Sequence, residues 1–463
     1  MDHLPKTFTD TLSGLPGMDL AAFLRVHATG EKITSLRINP AKIQDEDAVQ
    51  KVLCSLTEEE SGHVPWSEYG YYLATRPSFT LDPNFHGGAY YVQEASSMFL
   101  EQVMRHACDL SAPLKVLDLC AAPGGKSTLL QSLISADSML VSNEVIKTRA
   151  AILADNISKW GAANVVVTNN DPRDFARLAG YFDVMVVDAP CSGSGLFRRE
   201  PEAVQEWSPE NVALCSQRQQ RILADVWPAL KENGILIYAT CSYSREEDET
   251  IMEWIEDNFP AENVPIPLND NWHIVKTSAG RQSEGYRFYP DKVKGEGFFI
   301  TCYRKTAGEI WTAKKQKDTI TPLSKKDREK VLPWLTSDNG LFMMEHQRDV
   351  LLFPENMATA VPLLQQHLYL RKAGVKAGQL TAKEMVPDHQ LAMSTLTAHA
   401  VPRVALTREQ ALRYLKKEDP VVQASIKGWA LMIYEGMPLG WAKILPNRIN
   451  NYYPKELRIL KEV

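Results

Sequence analysis

The chain has 463 residues, 44% of them hydrophobic and 23% charged, with a formal net charge of −6. This length exceeds what one hydrophobic core ordinarily supports, so two or three domains are expected, and the composition excludes disordered and fibrous classes. No stretch approaches the roughly 18 uncharged apolar residues of a membrane span, and the opening MDHLPKTFTDTLSG lacks a basic region followed by an apolar one, so a cytoplasmic location with no membrane partner is expected.

The charge is unevenly placed. Residues 1 to 303 hold 26 Lys+Arg against 41 Asp+Glu, whereas residues 304 to 463 hold 25 against 16. A basic third joined to an acidic remainder suggests a polyanion bound largely by the C-terminal part. The cysteines are Cys54, Cys108, Cys120, Cys191, Cys215, Cys241 and Cys302, an odd number with no C-x-x-C pair. That pattern favours free thiols over a disulfide framework, and no metal site is expected.

Residues 1–112 mix helical and extended patterns and include the aromatic segment WSEYGYYLATRPSF, consistent with a smaller α+β region. From residue 113 short apolar runs alternate with helical patterns: KVLDL, KSTLLQSLI, SMLVSNE, TRAAILADNISKW, NVVVTNND, FDVMVVDAP and, later, GILIYAT. This alternation predicts an α/β core to residue 304, with a doubly wound, Rossmann-like parallel sheet. Within it, Ser208 followed by Pro209 predicts a helix start before the amphipathic stretch that ends near Leu230. Residues 305–335, with AKKQKDTITPLSKKDREK, read as a basic linker, and residues 336–463 as a small β-rich domain.

The segment DLCAAPGGKS, residues 118 to 127, follows the first core strand and opens a helix. Glycines at such a turn let backbone N–H groups approach an anionic group, a carboxylate as readily as a phosphate. The nucleotide-hydrolase phosphate loop is excluded, because its first glycine would stand where the chain has Cys120. Glu144 lies 20 residues after Gly124, the spacing at which an acid in this architecture accepts hydrogen bonds from ribose hydroxyls. Asp118, Glu144, Asp171 and Asp188 are all expected along the carboxyl edge of the sheet, where together they favour a nucleoside ligand.

Two cysteines follow strands, Cys191 in VVDAPCSGSG and Cys241 in YATCSYS. If those strands pair, backbones about 5 Å apart bring both thiols to one pocket. Taken in series, DLCAAPGGKS, DAPCSGSG and ATCSYS resemble the Sun/Fmu family of RNA cytosine-5 methyltransferases over roughly residues 80 to 304, and YYVQEASSM and GEGFF also match its pattern.

Carbon 5 of cytosine is a poor nucleophile until a thiolate adds at carbon 6. An ordinary cysteine, with a pKa near 8.5, is only a few per cent ionised at neutral pH, so the site must favour the thiolate. Asp188 is placed to supply or hold a proton at the ring nitrogen. The resemblance implies S-adenosylmethionine as cofactor, with the loop Cys120, Ala121, Ala122, Pro123, Gly124, Gly125 and Lys126 around its methionine part, Glu144 on the ribose and Asp171 on the adenine. Asp188 would border both cofactor and base. It also implies that Cys241 is the nucleophile and that Cys191 assists release. Spacing alone leaves the two thiols interchangeable.

The C-terminal extension, with GWA, LGWAK and NYYPKELR, is similar to the bacterial branch acting on small-subunit ribosomal RNA, which implies a PUA-like RNA-binding domain, an RNA-contacting N-terminal region and a monomeric enzyme. The motifs do not encode which RNA is bound, so a transfer-RNA substrate stays open, as does a ribosome-assembly protein that binds RNA without catalysis. Arg198 and Arg199 are candidates for phosphate contacts. Trp429, Trp441 and Tyr452 are expected mainly as core aromatics, with base stacking the alternative.

Overall fold

The computed structural model describes residues 4–59, 61–312, 322–422 and 426–461. An N-terminal antiparallel sheet is made of β1 (Thr34–Ile38), β2 (Gly62–His63), β3 (Gly70–Leu73) and β4 (Tyr90–Val92), in the order β2-β3-β1-β4. Beside it lies the helix Glu46–Leu56, started by the Asp45 side chain, which accepts from the Ala48 N–H. Arg37 in β1 is 2% exposed and points away from that small core. It donates to Gln93 at 3.0 Å, Thr128 at 2.6 Å and Ser132 at 3.1 Å, and so docks this sheet on the helix Gly125–Leu133.

The central sheet contains β5 (Lys115–Asp118), β6 (Met139–Asn143), β7 (Val165–Thr168), β8 (Phe182–Asp188), β9 (Leu230–Thr240), β10 (Ala261–Asn263), β11 (Val275–Ala279), β12 (Ser283–Phe288) and β13 (Phe298–Lys305). Strands β7, β6, β5, β8 and β9 run parallel in that spatial order; β13, β12 and β11 continue the sheet antiparallel beyond β9, and β10 pairs with β13. The apolar runs are continuous because both faces are covered. Val116, Leu140, Val184 and Ile237 enter one core, and Leu117, Val141, Met185 and Leu236 enter the other. The helix Pro209–Val226 starts where the Ser-Pro signal predicts, with the Ser208 side chain accepting from the Asn211 N–H. The next strand begins at Leu230, four residues before Gly234.

Of the expected basic linker, residues 313–321 lie outside the described residues, whereas Lys325–Val331 is a helix capped by Ser324, with Val331 fully buried. The C-terminal third is β-rich and is divided three ways. Strands β14 (Leu341–His346) and β15 (Asp349–Pro354) form a sheet with β17 (Val375–Leu380) and β18 (Met385–Pro387), while β16 (Leu370–Ala373), lying between them in sequence, leaves to pair antiparallel with β7 at the edge of the central sheet. A last sheet holds β19 (Arg403–Ala405), β20 (Gly428–Tyr434), β21 (Met437–Leu445) and β22 (Arg448–Asn451). Met357, Val361, Leu364 and Leu368 share a core with Phe175, Leu178 and Tyr181. The segment from Phe342 to Ala373 is therefore built into the α/β core, and cutting it away would bare an apolar face and strip β16 from β7.

Candidate active site

Parallel pairing of β8 with β9 sets Val187 against Tyr238 and Asp188 against Ala239. The two strands therefore end at the same height, and the loops that follow bring the Cys191 and Cys241 sulfurs to 3.0 Å as free thiols. Backbone bonds hold the loops together: the Gly195 N–H donates to the Cys241 carbonyl at 2.8 Å, and the Gly297 N–H donates to the Gly195 carbonyl at 3.1 Å. A Cβ at Gly195 would lie 2.5 Å from the Gly297 carbonyl oxygen and 2.7 Å from that of Cys241, so only glycine permits this approach. The QEASSM segment joins the same assembly. Its Glu94 carboxylate accepts from the N–H groups of Glu296, Ser96 and Ser97, and the Ser96 hydroxyl donates to the Glu296 carbonyl at 2.8 Å.

Beneath the thiols lies a buried carboxylate that the sequence reading missed. Glu247 accepts from the Ser192 N–H at 2.9 Å, the Ser192 hydroxyl at 2.5 Å, the Ser242 hydroxyl at 2.6 Å and the Gln219 amide at 3.1 Å. Ser192 follows Cys191 and Ser242 follows Cys241, so one side chain ties both cysteine loops. Its own carboxyl is raised above the usual range by burial, against the pull of those hydrogen bonds. Next to it, buried Arg287 bonds Glu249 and the Tyr243 carbonyl and pairs with Asp248 at 3.1 Å, which fixes the turn after Cys241. The Cys191 thiol is pushed well up by its hydrogen bond with Cys241, by burial, and by the charges of Cys241 and Glu247. Its sulfur lies within hydrogen-bond reach of the Cys241 sulfur, and either can donate to the other.

A cavity of 580 Å³ opens along the carboxyl edge of the sheet and is bordered by both cysteines together with Cys120, Ala122, Glu144, Asp171 and Asp188. Glu144 also accepts from the Ile146 N–H at 2.9 Å, and Asp171 from the Arg173 N–H at 3.2 Å, so each acid is held by the backbone that follows it. Asp118, expected on the same edge, lies underneath instead: it is 0% exposed, accepts from the Ser127 hydroxyl at 2.7 Å, and burial raises its carboxyl to about 7. In the glycine loop, Ala121 is buried and Gly124 adopts φ +118, a left-handed conformation that favours glycine. The Asn156 amide donates to the Pro123 carbonyl at 2.8 Å. Lys126 turns from this loop to Asp188 at 2.8 Å; burial lowers its ammonium, but the Asp188 charge and hydrogen bond raise it more, so it stays charged.

The exposed Val145 and Ile146 add an apolar wall beside Glu144. Three acids that can accept from hydroxyl and amino groups, with an apolar strip beside them, are a lining that S-adenosylmethionine fits. Arg149, Arg218 and Arg221 also border the cavity and were not singled out in the sequence, because isolated arginines on helical patterns carry no local signal.

Arg198 departs from expectation. Its side chain is 4% exposed and lies 3.5 Å from the equally buried Glu296 carboxylate, so it braces two loops and does not face a phosphate. Arg199 is exposed. Trp441 is 1% exposed and Trp429 8%, both core aromatics, whereas Tyr452 is 42% exposed with its ring against Trp429.

A doubly wound core with this cavity and two thiols at its carboxyl edge is that of an S-adenosylmethionine-dependent methyltransferase. Three family models match the chain: the N-terminal domain of 16S rRNA methyltransferase RsmF over residues 4–95, 16S rRNA methyltransferase RsmB/F over 109–304, and the methyltransferase RsmF PUA domain over 401–459. The Ribosomal RNA small subunit methyltransferase F of Escherichia coli O7:K1 is 30% identical over 91% of this chain and 90% of its own length, and that of Shigella boydii serotype 4 is 29% identical over the same shares. A solved methyltransferase homolog protein from Pyrococcus horikoshii is 30% identical, with a TM-score of 0.55 over 65% of this chain and 95% of its own. NSun6 from Pyrococcus horikoshii, solved with SFG, shares the fold at 18% identity, with a TM-score of 0.56 over 65% of this chain and 98% of its own. The chain belongs to the RsmB/F family of cytosine-5 methyltransferases, and its cofactor is S-adenosylmethionine.

Proposed function

We propose that the protein methylates carbon 5 of a cytosine in small-subunit ribosomal RNA, acting in the cytoplasm as a single chain, with Cys241 as nucleophile and Cys191 assisting release. The observation that carries this reading is the pair of thiols 3.0 Å apart at one end of the cavity. The relatives named small-subunit methyltransferases and the matched PUA domain support the RNA class. No helix among the described residues is long and apolar enough to cross a membrane.

In this reading the loop from Cys120 to Lys126 encloses the methionine part of the cofactor, Glu144 takes the ribose and Asp171 the adenine. The cofactor supplies the methyl group. The Cys241 thiolate adds to carbon 6, and the charge pushed into the ring is met at the ring nitrogen by a proton held between Asp188 and Lys126. Once carbon 5 carries the methyl group, a base takes its proton, the carbon 5–carbon 6 double bond re-forms and the carbon–sulfur bond breaks. Cys191, protonated and within hydrogen-bond reach, donates to the sulfur that leaves.

Replacing the thiols one at a time tests this. Cys241→Ala yields neither product nor adduct, whereas Cys191→Ala accumulates protein bonded to methylated RNA, seen as a slow band on a denaturing gel. The opposite pattern reverses the two roles. Full activity in both single variants removes covalent catalysis by this pair, and bisulfite sequencing of RNA with and without the enzyme reports the RNA class.

A further inference from the structure

One wall of the cavity carries two arginines that have no part in the reading above. The helix Pro209–Val226 presents Leu214, Arg218 and Arg221 at successive positions of one stripe, four and three residues apart. Leu214 is 59% exposed, and both arginines are exposed while bordering the same cavity as Cys191, Cys241 and Asp188. The helix is keyed in rotation by Gln219, which is fully buried and donates to the Pro190 carbonyl at 3.1 Å, one residue before Cys191. That anchor holds the stripe at the rim next to the cysteines.

Neither Arg218 nor Arg221 has an acid partner or a side-chain hydrogen bond among the described residues. Arg149, across the cavity, is different: it donates to the Ala122 carbonyl at 2.8 Å and lies 3.5 Å from Glu144, so it is part of the framework. The free pair does not suit the cofactor. S-adenosylmethionine carries a sulfonium and an ammonium against one carboxylate, and the cavity already meets it with Glu144, Asp171 and Asp188. Two unpaired guanidinium groups on this rim fit an anion arriving with the second substrate.

We propose that Arg218 and Arg221 form a phosphate-binding site for the RNA strand next to the target cytosine, with Leu214 packing against a flanking sugar or base. The proposal rests on the RNA-methyltransferase reading above and adds where the strand enters. Phosphate contacts fix register, so this helix would set which nucleotide reaches Cys241.

The test uses the full-length enzyme, an unmodified small-subunit rRNA transcript, and the double variant Arg218→Gln/Arg221→Gln, with Arg25→Gln as an exposed arginine that does not border the cavity. The double variant is expected to bind the transcript at least about tenfold more weakly at 0.15 M salt, and to flatten the plot of log affinity against log salt by about 1.4, as for two phosphates on a single strand. Arg218→Lys/Arg221→Lys recovers most of the slope, and cofactor affinity by calorimetry is unchanged in both. Unchanged RNA affinity and slope, or a loss equal to that of Arg25→Gln, overturns the site. Loss of cofactor affinity overturns it too, by giving the arginines to the other substrate. If the wild-type enzyme neither binds nor methylates the transcript, the broader reading has failed and not this site alone.

Discussion

Replacing Glu247 separates the clamp on the two cysteine loops from the fold at large. In Glu247→Ala the Ser192 and Ser242 hydroxyls, 3.4 Å apart, turn to each other, and Gln219 keeps the Pro190 carbonyl. The Ser192 N–H has no such recourse and stays buried without an acceptor, a cost of roughly 1–3 kcal/mol. The vacated space adds about 1–2 kcal/mol, so the expected loss is about 3 kcal/mol. Glu247→Gln behaves differently. Its oxygen can take the place that accepts from the Ser192 N–H and Gln219, and its NH2 can face the two serine hydroxyls, which rotate to accept. The expected loss is then only about 1 kcal/mol, and the loops stay in place. Because the Glu247 charge helps to raise the Cys191 thiol, the neutral amide lets that thiol ionise at lower pH. Urea denaturation reads the first effect; the pH dependence of alkylation at Cys191, followed by mass spectrometry, reads the second. Equal destabilisation by Ala and Gln, or an alkylation profile in Glu247→Gln that does not move to lower pH, would refute the clamp and its electrostatic role.

Two further outcomes are expected. Glu144→Ala and Asp171→Ala each weaken S-adenosylmethionine binding about tenfold or more, the worth of a hydrogen bond to a charged group, and Asp171→Asn separates this from loss of the Arg173 cap; calorimetry showing wild-type affinity in all three would remove these acids from the cofactor site. Asp118, raised from 3.8 to about 7 by burial, binds its proton more tightly folded than unfolded, so its contribution to stability is complete below pH 4 and is lost as pH rises through 7, by up to about 4 kcal/mol. Asp118→Asn should therefore gain on the wild type between pH 5 and pH 8 in urea denaturation, and a constant difference across that range would contradict the assignment.

Local sequence determined the α/β core and the neighbourhood of the cofactor, since strand and helix periods, the Gly124–Gly125 turn and the Ser208 cap are written in a few consecutive residues. It also placed Cys191 and Cys241 on one edge, because parallel strands that pair end together even when their cysteines are 50 residues apart. What only the tertiary structure decided is the inward or outward choice of side chains at the ends of those strands. Asp118 and Asp188 look alike in sequence, yet one is under the loop and the other on the cavity. Arg198 turns onto Glu296 while Arg199 faces solvent. Other decisions depend on segments far apart in the chain, such as the contact of Gly195 with Gly297 or the pairing of β16 with β7, where the Tyr369 N–H meets Asn170 across 199 residues. Such contacts are set by packing and hydrogen-bond satisfaction in the assembled fold, and neither leaves a period or a motif in the strand that makes it.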